Sequence, residues 1–480
     1  MKTAFANGKI SLASLARGLG GTLRAGANAS QTFVCGLCTD SAEVDPQTAF
    51  VALRGKRTDG HLFLPNAIAA GCRCVVCEHA PALSGAAVIE VPDSEKAIAS
   101  LAAHRRREVG CRVVGVTGSV GKTTTKEMIF SVLSRKFRVF ATEGNHNSTV
   151  GMPLSLIGMP NNAEWAVLEM GMNALGEIER LSRCAEPDIA LITNIGAAHL
   201  GMLGSRENIL RAKLEILSGL RENGLFLRNA DEEYPIARDG KNFRTISVSR
   251  KGRKADFSAN NIRVESERTR FDLCWAGGME RDLCIRVAGA HNVSAALFAF
   301  AVGIAAGVAP EAIRAGLFAF ETNELRQKRT EIAGVTLIED CYNASPESMN
   351  AALDVLDALC ASSGRRGIAV LGEMRELGRE SEELHRRVGE RFAAGNAELL
   401  FALGQGGSAI AEGALEAGVS ESRVHRTEKT DDLTAAAALL CETVRRGDIV
   451  WIKASRAVAA ERMGSALKQF LSGKEGRDHA

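Results

Sequence analysis

A glycine-punctuated loop between an apolar run and a helical one constrains this chain more than any other feature. The segment reads CRVVGVTGSVGKTTTKEMIF, and a predicted strand leads through Gly118 and Gly121 into Lys122 and Thr123 at the start of a predicted helix. Glycines let backbone N–H groups wrap an anion, a lysine reaches terminal phosphates, and a threonine hydroxyl binds Mg²⁺. The helix adds the positive end of its dipole. The order of strand, loop and helix therefore predicts a phosphate-binding loop.

The loop lacks one glycine of the Walker spacing G-x-x-x-x-G-K-[ST], because Val116 stands where the first glycine would be. The alternative, a glycine turn before a helix that happens to contain Lys-Thr, does not explain why strand, loop and helix follow in the required order. We predict that the nucleotide is held by one consecutive run: Gly118, Ser119, Val120, Gly121, Lys122, Thr123 and Thr124.

Length and composition are those of a globular protein with several domains. The chain has 480 residues, of which 46% are hydrophobic and 24% charged, and at roughly 150 residues per domain about three are expected. A net charge of +2 lacks the basic surplus of a nucleic-acid-binding protein. The segment MKTAFANGKISLASLARGLG has no apolar run long enough for the core of a secretory signal, and no run of ~20 apolar residues occurs. We expect a cytoplasmic protein without nucleic-acid partner or integral membrane contact.

The twelve cysteines raise the alternative of a zinc site. Cys35 and Cys38 are spaced like zinc ligands, as are Cys72, Cys74 and Cys77. The second group lies in a predicted strand, which sends alternate side chains to opposite faces, whereas structural zinc needs its ligands around one tetrahedron. We favour buried thiols in a reducing compartment over zinc.

Three segments follow one another along the chain. Residues 1–108 mix short strands with an alanine-rich helix ending in HRRREVG, a charge run that suits either a domain boundary or a solvated last turn. Residues 109–321 alternate strands and helices and then contain a predicted hairpin with two glycines in its turn. Residues 322–480 alternate again, without a second phosphate loop. The predicted fold class is α/β in three domains: a small mixed α/β domain, a central P-loop domain with a parallel sheet, and a Rossmann-like doubly wound domain.

Three further residues are candidates for a metal site. Glu169 ends the apolar strand WAVLEMG, at the sheet edge where α/β proteins bind ligands, although a glutamate there can also cap a helix. His199 follows the next strand and is a possible metal ligand. From the residues alone, Lys213 is best interpreted as a surface lysine.

These motifs together resemble the Mur ligase family of peptidoglycan synthesis, along the whole chain. The family's loop has the shortened form T-G-x-x-G-K-[ST], which the run beginning at Thr117 matches, so Val116 marks a family variant. The resemblance implies ATP and two Mg²⁺ sites, formed by Thr123, Glu169, His199 and Lys213. It implies that Lys213 is carbamylated and helps bind the second Mg²⁺ beside His199. It makes Lys122, Lys213 and His199 the catalytic candidates.

The other motifs are most similar to the branch of the family that joins D-alanyl-D-alanine to UDP-N-acetylmuramoyl-tripeptide. DSAEVDPQTAFVALRGKRTDGH resembles the pattern that holds the uridine diphosphate end, and TEGNHNSTVGMP resembles a substrate loop. IEDCYNASPESM, LGEMRELGRESEELH and KASRAVAAERM resemble signatures of the last domain, while the D-N-P-R signature of a neighbouring branch is absent. The implied substrate contacts are Asp40, Ser41, Thr142, Asn145, Asn147, Tyr342, Asn343 and Ser345.

The resemblance also places ATP against Asn292, and it implies that Asp340 either contacts the nucleotide or orients the loop of Tyr342, Asn343 and Ser345. Arg326 and Arg329 both stand near the position of the family's ATP-side arginine; the spacing leaves both open, and the segment RTEI favours Arg329. Four positions depart from the family pattern, at the uridylyl contact, the substrate loop, the adenine contact and the last motif: Ala42, Ser148, Ala295 and Ala454.

The implied enzyme is a monomeric, ATP-dependent amide ligase acting on small molecules through an acyl phosphate. One alternative is another ligase of the superfamily, such as a folylpolyglutamate synthase, which would not need the DSAEV…DGH segment. A second alternative is a P-loop ATPase switch, which would not need a third nucleotide-type domain. The sequence leaves open whether the tripeptide carries diaminopimelate or lysine.

Overall fold

The computed structural model describes residues 1–24, 32–55, 58–79, 85–234, 242–322, 326–427 and 433–478, and all structural statements below concern these residues. Their strands form two six-stranded sheets, one nine-stranded sheet and a two-stranded ribbon. Each large sheet is covered by helices. The predicted α/β fold class with three sheet-based units is confirmed.

The first sheet has four parallel strands with an antiparallel strand at each edge, in the order β1-β5-β6-β7-β8-β3, where β2 and β4 form the separate ribbon. The elements are β1 (Lys2–Ala4), β2 (Ile10–Ser11), α1 (Leu12–Leu19), β3 (Thr22–Arg24), β4 (Phe33–Val34), β5 (Gly36–Cys38), β6 (Thr48–Val51), α2 (Leu64–Ala69), β7 (Cys74–Cys77), β8 (Ala87–Glu90) and α3 (Ser94–Val109). The alanine-rich helix predicted before HRRREVG is α3, which begins after the capping side chain of Asp93 and ends at Gly110 with a φ of 69°.

The central sheet carries the phosphate loop. Its elements are β9 (Arg112–Thr117), α4 (Lys122–Leu133), β10 (Val139–Ala141), α5 (Gly151–Ile157), β11 (Trp165–Glu169), α6 (Glu177–Ala185), β12 (Ile189–Ile192), α7 (Leu200–Leu203), α8 (Arg206–Leu214), β13 (Leu225–Asn229), β14 (Arg244–Ser249), β15 (Phe257–Val264), β16 (Thr269–Trp275), β17 (Gly278–Ile285), α9 (Asn292–Ala305) and α10 (Pro310–Ala319). The order is β10-β11-β9-β12-β13-β14-β15-β16-β17, parallel from β10 to β15. The predicted hairpin is confirmed as β16 and β17.

The third sheet is doubly wound. Its elements are β18 (Lys328–Ile332), β19 (Val335–Asp340), α11 (Pro346–Ser363), β20 (Gly367–Gly372), α12 (Ser381–Ala393), β21 (Leu399–Leu403), α13 (Gly404–Glu416), β22 (Val424–Thr427), α14 (Leu433–Thr443), β23 (Ile449–Lys453) and α15 (Glu461–Asp478). In the order β18-β19-β23-β20-β21-β22 only β18 is antiparallel. The three sheets lie within the predicted domains 1–108, 109–321 and 322–480, whose boundaries stay a prediction.

The charge run at the end of α3 does not form a solvated turn. Arg105 and Arg106 are 6% and 2% exposed. Arg106 donates hydrogen bonds to the backbone oxygens of Ala185 (2.9 Å) and Glu186 (3.0 Å) at the end of α6. The solvated interpretation is therefore wrong for these two arginines, since α3 docks on α5 and α6 of the central domain. Of the three arginines in the run only Arg107 is exposed, and it pairs with Glu186.

All twelve cysteines are free thiols, and ten of them are buried. Cys72, Cys74 and Cys77 lie in or beside β7, where burial raises the pKa of each thiol. Across the described ranges, no group of three or more His, Cys, Asp or Glu side chains is arranged to hold a metal ion. No helix in those ranges is both long and apolar enough to cross a membrane.

Candidate active site

The phosphate loop joins β9 to α4 and requires glycine at two positions. Gly118 and Gly121 have φ values of 149° and 80°, which glycine adopts without steric cost. A Cβ atom on Gly118 would lie 1.8 Å from Thr193 Oγ1 on the loop after the neighbouring strand. The loop can therefore approach that strand only because Gly118 has no side chain.

The loop is held from outside by residues that follow β12. The Val120 N–H donates to Asn194 Oδ1 at 2.9 Å, and Val120 O accepts from Thr193 Oγ1 at 2.7 Å. The Ser119 N–H donates to Asn194 O at 3.0 Å, and Ser119 Oγ accepts from the Gly196 N–H at 2.8 Å. Thr193 and Asn194 are not among the residues predicted from the sequence, although their place at the carboxyl end of an apolar strand is a usable signal.

Because these bonds occupy the N–H groups of Ser119 and Val120, the first turn of α4 supplies the donors that can face an anion. Gly121 is the N-cap and provides no side-chain cap, so the first N–H groups of the helix lack an intrahelical acceptor. Lys122 folds over the loop, its Nζ donating to Gly118 O (2.8 Å) and Ser119 O (3.3 Å). Burial lowers the pKa of Lys122. The N–H groups of the first turn of α4 and the ammonium group of Lys122 therefore lie together at the phosphate loop.

Glu169 forms the floor of the site. It is 2% exposed, and its two carboxylate oxygens accept hydrogen bonds from Thr123 Oγ1 and Asn147 Nδ2, each at 2.7 Å. The Glu169 N–H donates to Thr142 Oγ1 at 3.2 Å. Thr142 itself is 2% exposed, so it supports the strand end from below and does not face the cleft where a substrate contact was expected.

His199 and Lys213 come from the segment after β12. His199 has a φ of 68°, and its Nδ1 lies 2.7 Å from Oε2 of Glu376, a residue of the third sheet's domain. Lys213 on α8 is 1% exposed, so its interpretation as a surface lysine is wrong. Burial, with a contribution from nearby Lys122, lowers its pKa well below the usual value. Burial thus favours the neutral form of this amine, which is its nucleophilic form.

One cleft of about 410 Å³ between the central and C-terminal domains collects most of the predicted residues. Its lining includes Ser119, Val120, Gly121, Lys122, Thr123, Thr124, Asn145, Asn147, Glu169, His199, Asn292, Asp340, Tyr342, Asn343 and Ser345. Asp40 and Ser41 do not line it among the described residues. They lie after β5 in the first domain, where Asp40 Oδ1 accepts from the Ala42 N–H at 3.0 Å.

The C-terminal domain presents its side of the cleft on the loop between β19 and α11. Asp340 accepts a hydrogen bond from Lys453 Nζ at 2.7 Å, and the same ammonium donates to Asn343 O at 3.1 Å. Ser345 caps α11 by accepting from the Ser348 N–H. Lys453 is 3% exposed; it belongs to the motif KASRAVAAERM, but it is not among the residues predicted for the site. Lys453 therefore holds the loop between β19 and α11 in one conformation.

The structure separates the two arginines that the sequence left as alternatives. Arg326 lines the cleft and stacks on the Tyr342 ring, with its guanidinium carbon 4.0 Å from the ring centroid. Arg329 lines another cavity, where it donates to Ser266 O at 2.6 Å and to Glu331 at 2.7 Å. The preference for Arg329 is not supported by this geometry, because its guanidinium is committed elsewhere.

A second cavity of about 410 Å³ adjoins the phosphate loop on the side away from Glu169. Thr124, His291, Asn292 and Ala295 line it, and the Asn292 side chain donates to Ala288 O at 2.9 Å. Burial lowers the pKa of His291 to about 4, so this imidazole is neutral at pH 7. The cavity has the neutral and polar groups that suit a nucleobase and its ribose.

The four departures from the family pattern occupy different settings. Ala42 is exposed, and Ser148 lies in the cleft, where its hydroxyl accepts from the Gly151 N–H at 3.0 Å. Ala295 is 5% exposed beside the second cavity, whereas Ala454 is fully buried after β23.

Comparison with known proteins places the chain in one family along its whole length. It matches the Mur ligase family catalytic domain over residues 34–106, the Mur ligase middle domain over 116–303 and the Mur ligase glutamate ligase domain over 325–456. It is 39% identical to the UDP-N-acetylmuramoyl-tripeptide--D-alanyl-D-alanine ligase of Bacillus subtilis, covering 94% of this chain and 97% of that one. The protein of that name from Escherichia coli is 35% identical, over 90% and 93% of the two chains.

Solved structures show the same similarity to Mur ligases. The chain is similar to MurF from Acinetobacter baumannii with a TM-score of 0.86 at 30% identity, covering 96% of this chain and 99% of the other. It is similar to the MurF ligase of Thermotoga maritima in complex with ADP with a TM-score of 0.79 at 28% identity, covering 91% and 98%. The chain belongs to the Mur ligase family, within the branch of the UDP-N-acetylmuramoyl-tripeptide--D-alanyl-D-alanine ligases.

Proposed function

We propose that the protein joins D-alanyl-D-alanine to UDP-N-acetylmuramoyl-tripeptide with the hydrolysis of ATP to ADP and phosphate. The observation that carries this proposal is the single cleft in which the phosphate loop and the Thr123–Glu169 pair face the loop of Tyr342, Asn343 and Ser345. Relatives of 39% and 35% identity carry the name of this activity. The site is thus built for three substrates that meet between two domains.

The arrangement suits an acyl-phosphate route. A carboxylate is a poor electrophile, so one oxygen of the tripeptide's terminal carboxylate attacks the γ-phosphorus of ATP and ADP leaves. The neutral amine of the dipeptide then attacks the acyl carbon, inorganic phosphate leaves, and the amine nitrogen loses a proton. Lys122 and the first N–H groups of α4 are placed to stabilise charge on the transferred phosphoryl group. Closure of the two domains excludes water that would hydrolyse the intermediate.

ATP would lie across the phosphate loop, with its base in the second cavity. The T. maritima neighbour solved with ADP supports nucleotide use. Asn292 and neutral His291 border that cavity, and Asp340 and Arg326 border the phosphate side. We assign the ATP-side arginine to Arg326, since its side chain faces the cleft that holds Lys122.

The donor set beside the loop fits Mg²⁺. The Thr123 hydroxyl and the Glu169 carboxylate are hard oxygen ligands, and they already lie 2.7 Å apart. Mg²⁺ bound here neutralises negative charge on the phosphates. Glu169 keeps its orientation through Asn147, which donates to the second oxygen.

A second Mg²⁺ site is proposed at His199 and Lys213. A lysine amine cannot bind a cation while it is protonated, but the Lys213 environment lowers the pKa of this amine. Its neutral nitrogen can add to the carbon of CO₂ and release a proton, which leaves a carbamate anion that fits a cation site. No carboxylate pairs with Lys213 in the described part of the chain, so no ion pair competes with the carbamylation of its amine.

The substrates approach from both outer domains. We propose that Asp40 and Ser41 hold the uridine diphosphate end, that Asn145 and Asn147 hold the peptide, and that Tyr342, Asn343 and Ser345 hold the dipeptide. Thr142 supports Glu169 in this scheme. We further propose that the enzyme works as a monomer in the cytoplasm and that its domains divide near residues 108 and 321.

ADP release tests the proposal. Purified protein with Mg²⁺ and ATP is assayed with UDP-muramyl-tripeptide and D-Ala-D-Ala together, and with each omitted. We expect turnover only with both, with a covalent pentapeptide product seen by mass spectrometry. Equal rates with either substrate omitted would exclude the ligase and favour an ATPase switch, and turnover with a folate and glutamate would favour the other ligase. Tripeptides with diaminopimelate and with lysine, run in parallel, identify the third residue.

A further inference from the structure

A further cavity, of about 410 Å³, lies between the central and C-terminal domains beside the active-site cleft. Three residues line both spaces: Val287, Thr322 and Gln327. Thr322 and Gln327 belong to the stretch of chain that connects α10 to β18, so we call this space the linker cavity. No step of the proposed reaction uses it.

Both domains contribute charged side chains to the linker cavity. The central domain supplies the turn between β15 and β16 and the residue after β17, and the C-terminal domain supplies β18. Among the described residues, the charged lining consists of three arginines and two glutamates: Arg268, Arg286, Arg329, Glu267 and Glu331. The lining therefore carries one more positive than negative charge.

Both glutamates of the lining lie beside Arg329. Arg329 Nη2 donates to Glu331 Oε1 at 2.7 Å, and its Nη1 donates to Ser266 O at 2.6 Å. Arg329 Nε lies 3.7 Å from Glu267 Oε1, which is an ion-pair distance but too long for a hydrogen bond. The carboxylates of the lining are thus taken up by the arginine of the C-terminal domain.

The two arginines of the central domain are paired more loosely, with carboxylates outside the lining. Arg286 Nη1 lies 3.3 Å from Glu321 Oε1, and the two side chains are 53% and 76% exposed. Arg268 Nε lies 3.3 Å from Glu265 Oε2, and the other oxygen of that glutamate contacts Arg270. Since exposed ion pairs contribute little, both guanidinium groups can bind an anion that enters the cavity.

The lining also offers apolar surface and two donors without acceptors. Phe318 on α10 is 50% exposed, whereas Val287, Ile338 and Trp451 are buried. Trp451 Nε1 and Arg329 Nε are buried and have no hydrogen-bond partner within the described chain. Buried polar groups are nearly always paired in folded proteins. Two such donors on residues of one cavity therefore favour a ligand that has acceptor atoms as well as an apolar part.

Gln327 connects the linker cavity to the nucleotide side of the molecule. Its Nε2 lies 3.2 Å from His291 Nε2, and His291 lines the second cavity. That second cavity is itself formed by both domains, since Asn292 of α9 and Asn350 of α11 line it. A ligand that holds the two domains together at the linker cavity therefore also favours the arrangement that forms the second cavity.

We propose that the linker cavity binds a small organic monocarboxylate, which bridges the central and C-terminal domains. The carboxylate accepts hydrogen bonds from Arg286, because a planar guanidinium group matches the two oxygens of a carboxylate. The apolar part packs between Phe318 of the central domain and Trp451 of the C-terminal domain. A single negative charge balances the excess positive charge of the lining. The proposal goes beyond the ligase reaction and does not depend on it.

Calorimetric titration of the full chain with benzoate tests the site. We expect saturable binding of benzoate. Acetate, which lacks the ring, and benzamide, which lacks the charge, should each bind about tenfold more weakly. Absence of saturable benzoate binding would overturn the proposal. Acetate binding as tight as that of benzoate would show that the apolar wall has no part, and would overturn it as well.

Variants locate the bound benzoate. Arg286→Ala removes the charge-assisted contact and should weaken benzoate binding about tenfold. Arg281→Ala removes an exposed arginine of β17 that does not line the cavity, and it should leave the affinity unchanged. Equal affinities of the two variants would place the benzoate elsewhere and refute the proposed site.

The reciprocal effect of ADP tests the bridge between the domains. Saturating ADP should tighten benzoate binding about fivefold, and saturating benzoate should tighten ADP binding by the same factor. Arg286→Ala should still bind ADP but lose this coupling. An ADP affinity that benzoate leaves unchanged would refute the bridge, and one that benzoate weakens would show competition at the phosphate loop. Neither titration involves turnover, so a failure of the proposed ligase activity would leave both results decisive.

Discussion

The two interfaces between the domains of this Mur ligase differ in kind: one is mainly an apolar core and the other is mainly a polar cleft. We call them the fixed joint and the movable joint. Between the first and central domains a continuous apolar core runs from the α1 and α3 side chains to those of α5 and α6, and Arg106 is buried with its guanidinium bonded to backbone oxygens. Between the central and C-terminal domains a polar cleft lies open, bridged by contacts such as those of Glu376 with His199 and Glu347 with Ala197.

This difference separates a fixed joint from one that can move. Buried apolar area and buried hydrogen bonds resist separation, because opening exposes both to water. Part-exposed ion pairs contribute little, since water replaces them readily. The first domain is thus fixed to the central domain, and the surface that can move lies at the cleft between the central and C-terminal domains.

The largest expected effect lies on the central side of the cleft. Lys122→Ala removes the cation at the phosphate loop and should lower kcat by about 10³-fold, as does loss of a key donor to a transition-state oxyanion. Binding of the UDP-substrate, measured by calorimetry, should persist because Lys122 lies outside the first domain, to which we assign the uridine diphosphate end. Lys136→Ala, an exposed change beyond α4, is the control. Loss of UDP-substrate binding in a folded Lys122→Ala protein would contradict the assignment of the uridine diphosphate end to the first domain.

Lys213 lies deeper on the same side. Lys213→Ala should lower activity by about 10²-fold, within the range seen when a residue that orients a metal site is lost, and acetate or chloride should restore part of it by replacing the anion. Removing CO₂ during purification should reduce the unmodified enzyme's activity reversibly. Arg211→Ala, an exposed change on the same helix, serves as the comparison. Near-normal turnover of Lys213→Ala at saturating substrates would refute the carbamate.

Substitutions at the fixed joint, between the first and central domains, should change the free energy of unfolding. Arg106→Ala leaves the carbonyl oxygens of Ala185 and Glu186 without their donor and should lower the free energy of unfolding by about 2–3 kcal/mol. Arg107→Ala removes only an exposed pair with Glu186 and should lower it by less than about 1 kcal/mol. Urea denaturation of the two variants measures the difference. Equal losses would mean that the burial of Arg106 does not set the strength of this joint.

Substitutions of Arg326 and Arg329, the two alternatives for the ATP-side arginine, should differ in their effect on kcat/KM for ATP. Arg326→Ala should lower kcat/KM for ATP by about tenfold, the equivalent of about 1.4 kcal/mol, because its guanidinium lies in the cleft. Arg329→Ala breaks contacts with Ser266 and Glu331 and should leave kcat/KM within twofold of the unmodified value. The reverse ranking would restore the sequence-based preference for Arg329.

The smallest effect is expected at a bridge across the movable joint. Glu347 Oε1 accepts from the Ala197 N–H at 2.7 Å, but the glutamate is exposed. Glu347→Ala should therefore lower the free energy of unfolding by less than about 1 kcal/mol, well below the effect of Arg106→Ala. A loss as large as that of Arg106→Ala, again from urea denaturation, would show that the cleft joint is as fixed as the other.

Much of the site could be predicted because it follows from short-range order. A phosphate loop needs its glycines, lysine and threonine within a few residues, and Glu169 could be placed from the strand that it ends. The contact of Thr142 with Glu169 could not be predicted, because only the packed sheet brings the Thr142 hydroxyl to the Glu169 N–H. The choice between Arg326 and Arg329 likewise depends on which neighbour reaches each guanidinium.

The sequence by itself determined the α/β class, the phosphate loop and the family, because periodicity, turn residues and motif spacing are properties of the chain. Only the tertiary structure decided that Lys213 is buried, that Arg106 joins two domains and that Glu376 meets His199. Each of these depends on contacts between residues more than thirty positions apart or on the burial of a whole helix face. Solvent exposure and pairing over such distances are set by how the elements pack, and no local pattern in the chain encodes them.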